Sequence, residues 1–345
     1  MKHPYRIREI AAQSGLSQAT VDRVLHARGG VRSSTVREVE QAIADLDRQQ
    51  SQLRLGGRTF MIDVVVQAPP RFSAAVRTAL EAELPAMRPA AIRSRFHFLD
   101  SPAVSHLTTI LDRVARKRSH GVILKVPDVP ELVAGVDRLA AQGIPVVTLV
   151  TDLPTSARTA YVGIDNRAAG ATAAYLVEQW LGGRAGDVLV VRGHGSFRGE
   201  DEREMGFRAE MRSRAAGRRL LEVVDEEDRA DAVHIGTREV LAAHPAVRAV
   251  YSLYAGAGGN AAVLDAFARS SRTAEVFVAH DLDGENTGLL RERRLSAVLH
   301  HDLRQDMRRA CQVVMQAQGA LPGPVRSTPA AIQVITPHNS PPAEL

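Results

Sequence analysis

The chain has 345 residues, 45% of them apolar and 24% charged, which excludes a disordered chain, a collagen-like rod or a coiled coil and leaves room for two or three domains. No apolar run approaches the ~20 residues of a membrane span, the opening residues hold no apolar signal-peptide core, and the single cysteine, Cys311, makes neither an internal disulfide nor a cysteine-based metal site. Together these features predict a cytoplasmic protein with no membrane contact. Residues 1–58 carry ten Lys or Arg against six Asp or Glu, which is +4 of the total +5. A basic excess confined to one small segment fits nucleic-acid binding, although arginine abundance across the chain weakens charge as an argument.

In the N-terminal segment Ile7, Ile10 and Ala11 mark one face of a short helix. Ser14-Gly15 breaks it, since glycine closes a helix in the left-handed conformation, and Ser17 is a good N-cap for a second helix. That helix buries Val21, Val24 and Leu25 and turns Gln18, Ala19, Asp22, Arg23 and His26 outward. After Gly29-Gly30 a third helix begins near Ser34 or Thr35, with Val36, Val39, Ile43 and Leu46 as its buried stripe. Read from periodicity alone, the three helices also fit an interaction module.

The run from Ile7 to Leu25 closely resembles the helix-turn-helix headpiece of the lac repressor and galactose repressor family. The resemblance implies that Gln18 and Ala19 reach base edges from the start of the recognition helix. It also makes Arg23 the guanine reader, because a guanidinium donates to O6 and N7 together. Thr20, His26, Ser34 and Thr35, with Arg28 and Arg32, would hold the phosphate backbone, and Ser17 and Asp22 belong to the same DNA-binding set. Two positions depart from the family. Asp22 replaces its usual serine and requires a partner such as Arg23, or cytosine N4. After Leu46, Asp47-Arg48-Gln49-Gln50-Ser51 stands in place of the Tyr-x-Pro-Asn stretch that precedes a hinge helix. With the hinge shifted, Leu53 or Leu55 is the candidate minor-groove wedge. Gly56-Gly57 ends the connector, giving a headpiece and hinge over 1–58 and a larger domain over 59–345.

Beyond Phe60, strand-like runs alternate with helix-length segments at 61–67, 92–99, 121–126, 145–150, 160–164, 187–192, 219–224, 247–253, 275–281 and 295–301. This alternation predicts an α/β fold of parallel sheets, and the number of strands calls for two doubly wound subdomains with a cleft between them. The order resembles the periplasmic sugar-binding-protein fold (type I) that the same repressor family carries, so the resemblance covers nearly the whole chain. A last short strand is expected over 331–335, and the prolines beyond Gln316 stop any long helix.

The resemblance places an effector in the cleft. Arg203, in an Arg-x-x-Gly-Phe pattern with Gly206-Phe207, would donate to two sugar oxygens. Asp281, ending the strand 276–281, would accept from vicinal hydroxyls, as ligands sit beyond strand carboxyl ends. His301 stands where the family usually has glutamine. Phe72 would stack on a sugar face, or equally be core. Lys125, Asp128, Thr151 and Asp152 complete the first side, and Tyr254 and Asn260 flank the loop Ala255-Gly256-Ala257-Gly258-Gly259. Val150-Thr151 occupies the position of an Asp-Arg pair in ribose-type binders. A sugar, sugar acid or sugar phosphate is therefore the expected ligand. Neither glycine cluster, at 193–199 or 255–259, completes a dinucleotide fingerprint, so no cofactor is expected, and no metal set is visible.

The expected function is a DNA-binding transcriptional regulator, a homodimer on a double-stranded operator. The alternative is a cytoplasmic Rossmann-like sugar-metabolising enzyme. A third class, a transport component, lacks the expected signal peptide.

Overall fold

The computed structural model describes residues 4–193, 197–214, 217–225 and 229–341, with the side chains of residues 51–54 excepted. Three helices come first: α1 (Ile7–Ser14), α2 (Gln18–Leu25) and α3 (Ser33–Leu55). Gly15 takes φ 72° at the end of α1, and the Ser17 hydroxyl accepts the Thr20 N–H at 3.1 Å to cap α2. Ile10, Ala11, Val21, Val39 and Ala42 form the core of this unit. Tyr5 closes it by donating to Asp47 at 2.6 Å. The third helix does not stop at Leu46. Nothing between Asp47 and Leu55 breaks it, every residue there being compatible with a helix, and it ends only at Gly56-Gly57, where Gly57 takes φ 74°.

The first α/β subdomain contains β1 (Thr59–Gln67), α4 (Pro70–Glu83), β2 (Ala91–Leu99), α5 (Val104–Arg116), β3 (Gly121–Lys125), α6 (Pro130–Ala141), β4 (Val146–Leu149) and β5 (Ala160–Val162). The sheet is parallel, in the order β2-β1-β3-β4-β5. The second contains α7 (Asn166–Leu181), β6 (Asp187–Gly193), α8 (Arg198–Arg214), β7 (Leu220–Asp225), α9 (Ala230–Ala243), β8 (Val247–Ser252), α10 (Gly259–Arg269), β9 (Val276–His280), α11 (Gly284–Arg291) and β10 (Ala297–His300). The chain then returns: α12 (Leu303–Ala317) buries Met307, Ala310, Cys311 and Val314 in the core of the first subdomain, and β11 (Gln333–Ile335) pairs antiparallel with β10. The order of the second sheet is β11-β10-β9-β8-β6-β7. The chain thus crosses between subdomains three times.

Central strands read as unbroken apolar runs because helices cover both faces of each sheet. One charged exception is Asp63, fully buried on β1. Burial alone would raise its pKa, but hydrogen bonds from His97 (2.8 Å) and Arg95 (2.9 and 2.5 Å) on β2 outweigh it and hold the carboxyl down at about 2.

Helices α7 and α8 cross almost in backbone contact. A Cβ at Gly170 would lie 1.9 Å from the Arg203 carbonyl oxygen, and one at Gly206 would lie 2.0 Å from that of Arg167. The "Gly-Phe" of the Arg-x-x-Gly-Phe pattern is therefore a packing requirement: glycine brings α8 down so that Phe207, fully buried, stacks on Tyr251 at 4.2 Å. Gly170→Ala is expected to destabilise the protein by about 1–3 kcal/mol or more through overpacking, and to displace the α8 residues of the cleft. Urea unfolding with an unchanged midpoint would contradict this contact.

Candidate functional site

In the headpiece Gln18, Ala19 and Arg23 are exposed on α2, and Arg23 has no ion-pair partner among the described residues. Asp22 does not pair with Arg23 as expected. Its carboxylate takes Arg28 at 2.9 Å and His26 at 3.0 Å instead, because the turn after α2, with Ala27 at φ 49°, folds both back over it. The penalty of a carboxylate near phosphates is thereby offset within the protein, and Arg23 stays available. Ser17 is committed to the cap, sharing a 2.8 Å hydroxyl contact with Thr20. Arg32 and Ser34 are exposed and Thr35 half-buried at the start of α3. Leu55 is not a wedge: it is buried in the core of the first subdomain with Phe60 and Ile62, where removal from water stabilises the start of the larger domain. The side chain of Leu53 lies outside the described residues.

The carboxyl ends of β1, β3, β4, β8, β9 and β10 converge on a cleft of about 180 Å³ between the subdomains. This is below the roughly 300–1,000 Å³ of drug-sized sites, a size for a small metabolite. Of the expected effector residues, Phe72, Lys125, Thr151, Arg203, Tyr254, Asn260, Asp281 and His301 line it. Two do not. Asp152 turns away to Arg158 (2.6 Å to Nη2) and Thr148 (2.6 Å), closing the end of β4. Asp128 lies outside the lining, with its carboxylate 3.3 Å from Arg198 of α8. Both are short carboxylates with an arginine in reach, a pairing that sequence order does not reveal.

Asp281 directly follows β9 in a left-handed backbone conformation, φ 63°, which a non-glycine residue adopts at a cost. Its backbone N–H donates to Leu299 and its carbonyl accepts from Asn286. The carboxylate accepts no hydrogen bond among the described residues. Arg203 and His301 stand 3.9 Å from it on either side. Burial would raise its pKa, but Arg203 and His301 together outweigh that and keep the carboxyl below its ordinary value. Arg203, 4% exposed, donates from Nε to Asn166 at 2.8 Å. His301 is oriented by Asp306, 2.5 Å from Nδ1, so its Nε2 faces Asp281. Burial and the Arg203 charge keep His280 neutral. Among the described residues, the Nδ1 of His280 and the Oδ1 of Asn260 are buried polar atoms without a partner, as an occupant would require.

Several lining residues carried no sequence signal. Phe197, Glu200, His280 and His300 reach the cleft only through the fold. Arg71, next to Phe72 on α4, crosses to the second subdomain, donating to Asp283 at 2.5 Å and to the Gly256 carbonyl at 2.9 Å. The helix start that follows the glycine-rich loop is already filled: Glu285 accepts the N–H groups of Gly258 (2.8 Å) and Ala261 (3.0 Å) at the start of α10. A phosphate at that helix end would have to displace a carboxylate. Val150, at φ 65°, is a second strained position in the cleft wall; its carbonyl accepts from Tyr161 and Asn166, each at 3.1 Å. Among the described residues no cluster could hold a metal ion, and no helix is long and apolar enough to cross a membrane.

Arg71→Ala removes the bridge between α4 and the second subdomain. Because the pair is partly solvent-exposed, global stability is expected to change by less than about 1 kcal/mol. Small-angle scattering is expected to show a larger radius of gyration as the cleft opens. An unchanged scattering curve would rule out Arg71 as a clasp.

Two families match the chain. Residues 70–320 match the periplasmic binding protein domain, and residues 6–48 match the bacterial regulatory proteins of the lacI family. No curated protein matches significantly. Among solved structures, a glucose-galactose binding protein (GanP) of Geobacillus stearothermophilus is 20% identical, with TM-score 0.71, covering 82% of this chain and 99% of its own. A structure assigned as a LacI transcriptional regulator of Bacteroides fragilis is 16% identical, with TM-score 0.71 and coverages of 82% and 98%. An ABC transporter solute binding protein of Burkholderia graminis, in complex with D-arabinose, is 18% identical, with TM-score 0.72 and coverages of 83% and 97%. At these identities the structures establish the fold alone. Neither family supports the alternative of a Rossmann-like metabolic enzyme. An exposed second helix whose Arg23 has no ion-pair partner among the described residues, joined to two sheets whose strand ends bring a few charged and polar groups to one cleft, thus coincides with both matches: the chain belongs to the periplasmic binding protein domain family and carries the headpiece of the lacI family of bacterial DNA-binding regulators.

Proposed function

We propose that this regulator binds a pseudo-palindromic operator as a homodimer and takes a small sugar-like effector in the cleft. The observation that carries the effector reading is the Asp281 carboxylate, held 3.9 Å from Arg203 and from His301 and accepting no hydrogen bond among the described residues. A carboxylate accepts from two neighbouring hydroxyls and a guanidinium donates to two oxygens, so the pair suits a vicinal diol. Relatives described as binding glucose, galactose or arabinose share the fold and support the same class.

Charge refines the expectation. Lys125 and Glu200 line the same cleft, Arg203 faces Asp281, and Arg71 pairs with Asp283. With each cation near a carboxylate, the cleft favours an uncharged polyol over a sugar acid or sugar phosphate, since an added anion would lack a free counter-ion. Effector binding favours one arrangement of the subdomains, and its coupling to DNA binding is reciprocal. Dimerisation follows from the headpiece, because one short recognition helix reads too few base pairs for selective binding.

A thermal-shift screen of neutral sugars, sugar acids and sugar phosphates tests the ligand class, with neutral sugars expected to raise the melting temperature most. Asp281→Ala is expected to abolish that shift, and calorimetry returning the parent's affinity would remove Asp281 from the site. On the DNA side, Arg23→Ala is expected to weaken operator binding by ~1–3 kcal/mol and to relax discrimination at one base pair. Titrations of operator and random DNA by fluorescence anisotropy distinguish this from a phosphate contact, whose loss weakens both alike. A monomer in sedimentation that kept full operator affinity would contradict the dimer.

A further inference from the structure

The aromatic side chains on which a sugar ring would stack are already engaged in this cleft. Phe72, on α4 of the first subdomain, and Phe197, just before α8 of the second, both line it. Lys125, at the carboxyl end of β3 and 9% exposed, places its Nζ 3.6 Å from the centre of the Phe197 ring and 5.3 Å from that of Phe72. A cation over an aromatic face is attracted by the ring quadrupole, and the contact strengthens where water is excluded. Nζ also donates to the Gln67 carbonyl at 3.2 Å, which ties it to the end of β1. Burial and Arg203 oppose the charge, while the carboxylates of Glu200 and Asp281 favour it. Two ring faces and a carbonyl oxygen are a cation's partners, so Nζ sits here as an ammonium.

That placement changes what the cleft offers a ligand. A pyranose or furanose packs on an aromatic ring through the C–H bonds of one face, at the roughly 3.5–4 Å of an ordinary carbon contact. At Phe197 the ammonium fills a position of that kind. Stacking a sugar ring there requires Lys125 to leave both rings and the carbonyl together. The remaining aromatic ring of the lining, Tyr254, packs at the end of β6, where a Cβ on Gly193 would lie 2.8 Å from it. An open-chain polyol needs no stacking face. It can bring one hydroxyl to Nζ, an ammonium having three N–H donors of which Gln67 takes one. Its other hydroxyls meet the Asp281 carboxylate, the Arg203 guanidinium and the Oδ1 of Asn260, which has no partner among the described residues.

We propose that Lys125 is a specificity-determining residue of the cleft: its ammonium takes the aromatic pair that would stack a sugar ring, and so makes short open-chain polyols better ligands than the ring forms of neutral sugars. The inference rests on the reading of the cleft as the site of an uncharged polyol, and it names the form of that polyol. Arg203 and Asp281 grip neighbouring hydroxyls in either form, so both classes bind. Lys125 discriminates between them, because only the open chain gains a bond to Nζ without displacing it.

The test is a thermal-shift titration of the full chain with erythritol, ribitol and glucitol as open chains, and with methyl glucopyranoside and methyl arabinopyranoside as rings that cannot open. In the parent, the best open chain is expected to half-saturate at a concentration roughly tenfold below that of either ring, the effect of one hydrogen bond to a charged group. Lys125→Ala uncovers the rings and removes the donor, and is expected to abolish or reverse the preference. Lys125→Met refills the space without the charge: open chains are expected to weaken by roughly tenfold while the ring compounds do not gain. The methionine variant separates the charge from the space it fills, and it keeps the test decisive where the alanine variant fails to fold. Ring compounds that match or exceed the open chains in the parent overturn the proposal, as does a parental preference retained in Lys125→Met or Lys125→Ala. Both results leave the effector reading in place, since ligands still bind. No shift of the parent with any compound removes the effector reading itself, and this proposal with it.

Discussion

Arg203 is the interaction on which the cleft depends. Its guanidinium is nearly sealed from solvent, and a buried cation is tolerated only where donors and charges around it are satisfied. It bonds Asn166 at the first residue of α7, approaches the Leu253 carbonyl at 3.4 Å beyond β8, and faces Asp281 beyond β9. One side chain thus ties a crossover and two strand ends together. Its charge also reaches the other ionisable groups: it helps keep His280 neutral and Asp281 ionised, and it opposes protonation of Lys125. Glycine at 170 and 206 is what allows α8 to approach closely enough to deliver it.

Strain collects at the same place. Val150 and Asp281 both adopt left-handed backbone conformations in the cleft wall, one on each subdomain. Each is over-determined by its neighbours: the Val150 carbonyl by Tyr161 and Asn166, and the Asp281 carbonyl by Asn286, whose amide also bonds the His280 carbonyl. A strand end that turns sharply aims its side chain or carbonyl at the cavity instead of continuing the sheet, and such outliers persist where surrounding structure holds them. Asn286 also fixes Asn260, by accepting from its amide at 2.7 Å, which leaves the side-chain Oδ1 of Asn260 without a partner among the described residues. The polar groups of the site are therefore oriented before anything binds.

The headpiece follows a different logic. Its small core holds three helices, and the reading face is kept usable by diverting Asp22 onto His26 and Arg28. The third helix carries on without a break to Leu55, which is anchored in the core of the first subdomain. The connector is thus helical up to the glycine pair and has no separate wedge among the residues whose side chains are described.

The amino-acid sequence makes legible what depends on neighbours along the chain: the helix-turn-helix, through the Gly15 turn, the Ser17 cap and the Val21 stripe, and the strand-helix alternation, through its continuous apolar runs. It also determined most of the cleft residues that sit directly at strand ends, such as Lys125, Asp281 and His301, because strand ends are legible as local changes from apolar to polar. The partners that charged side chains take emerge only once the chain has folded. Asp128 and Asp152 look like cleft residues in sequence, yet arginines from α8 and from six residues downstream pair with them. Glu285 fills the glycine-rich helix start and Arg71 spans the subdomains, each across more than 20 residues of sequence. Coulomb attraction and burial act through space, so these pairings exist only once both sheets have formed and three chain crossings have brought their carboxyl ends together.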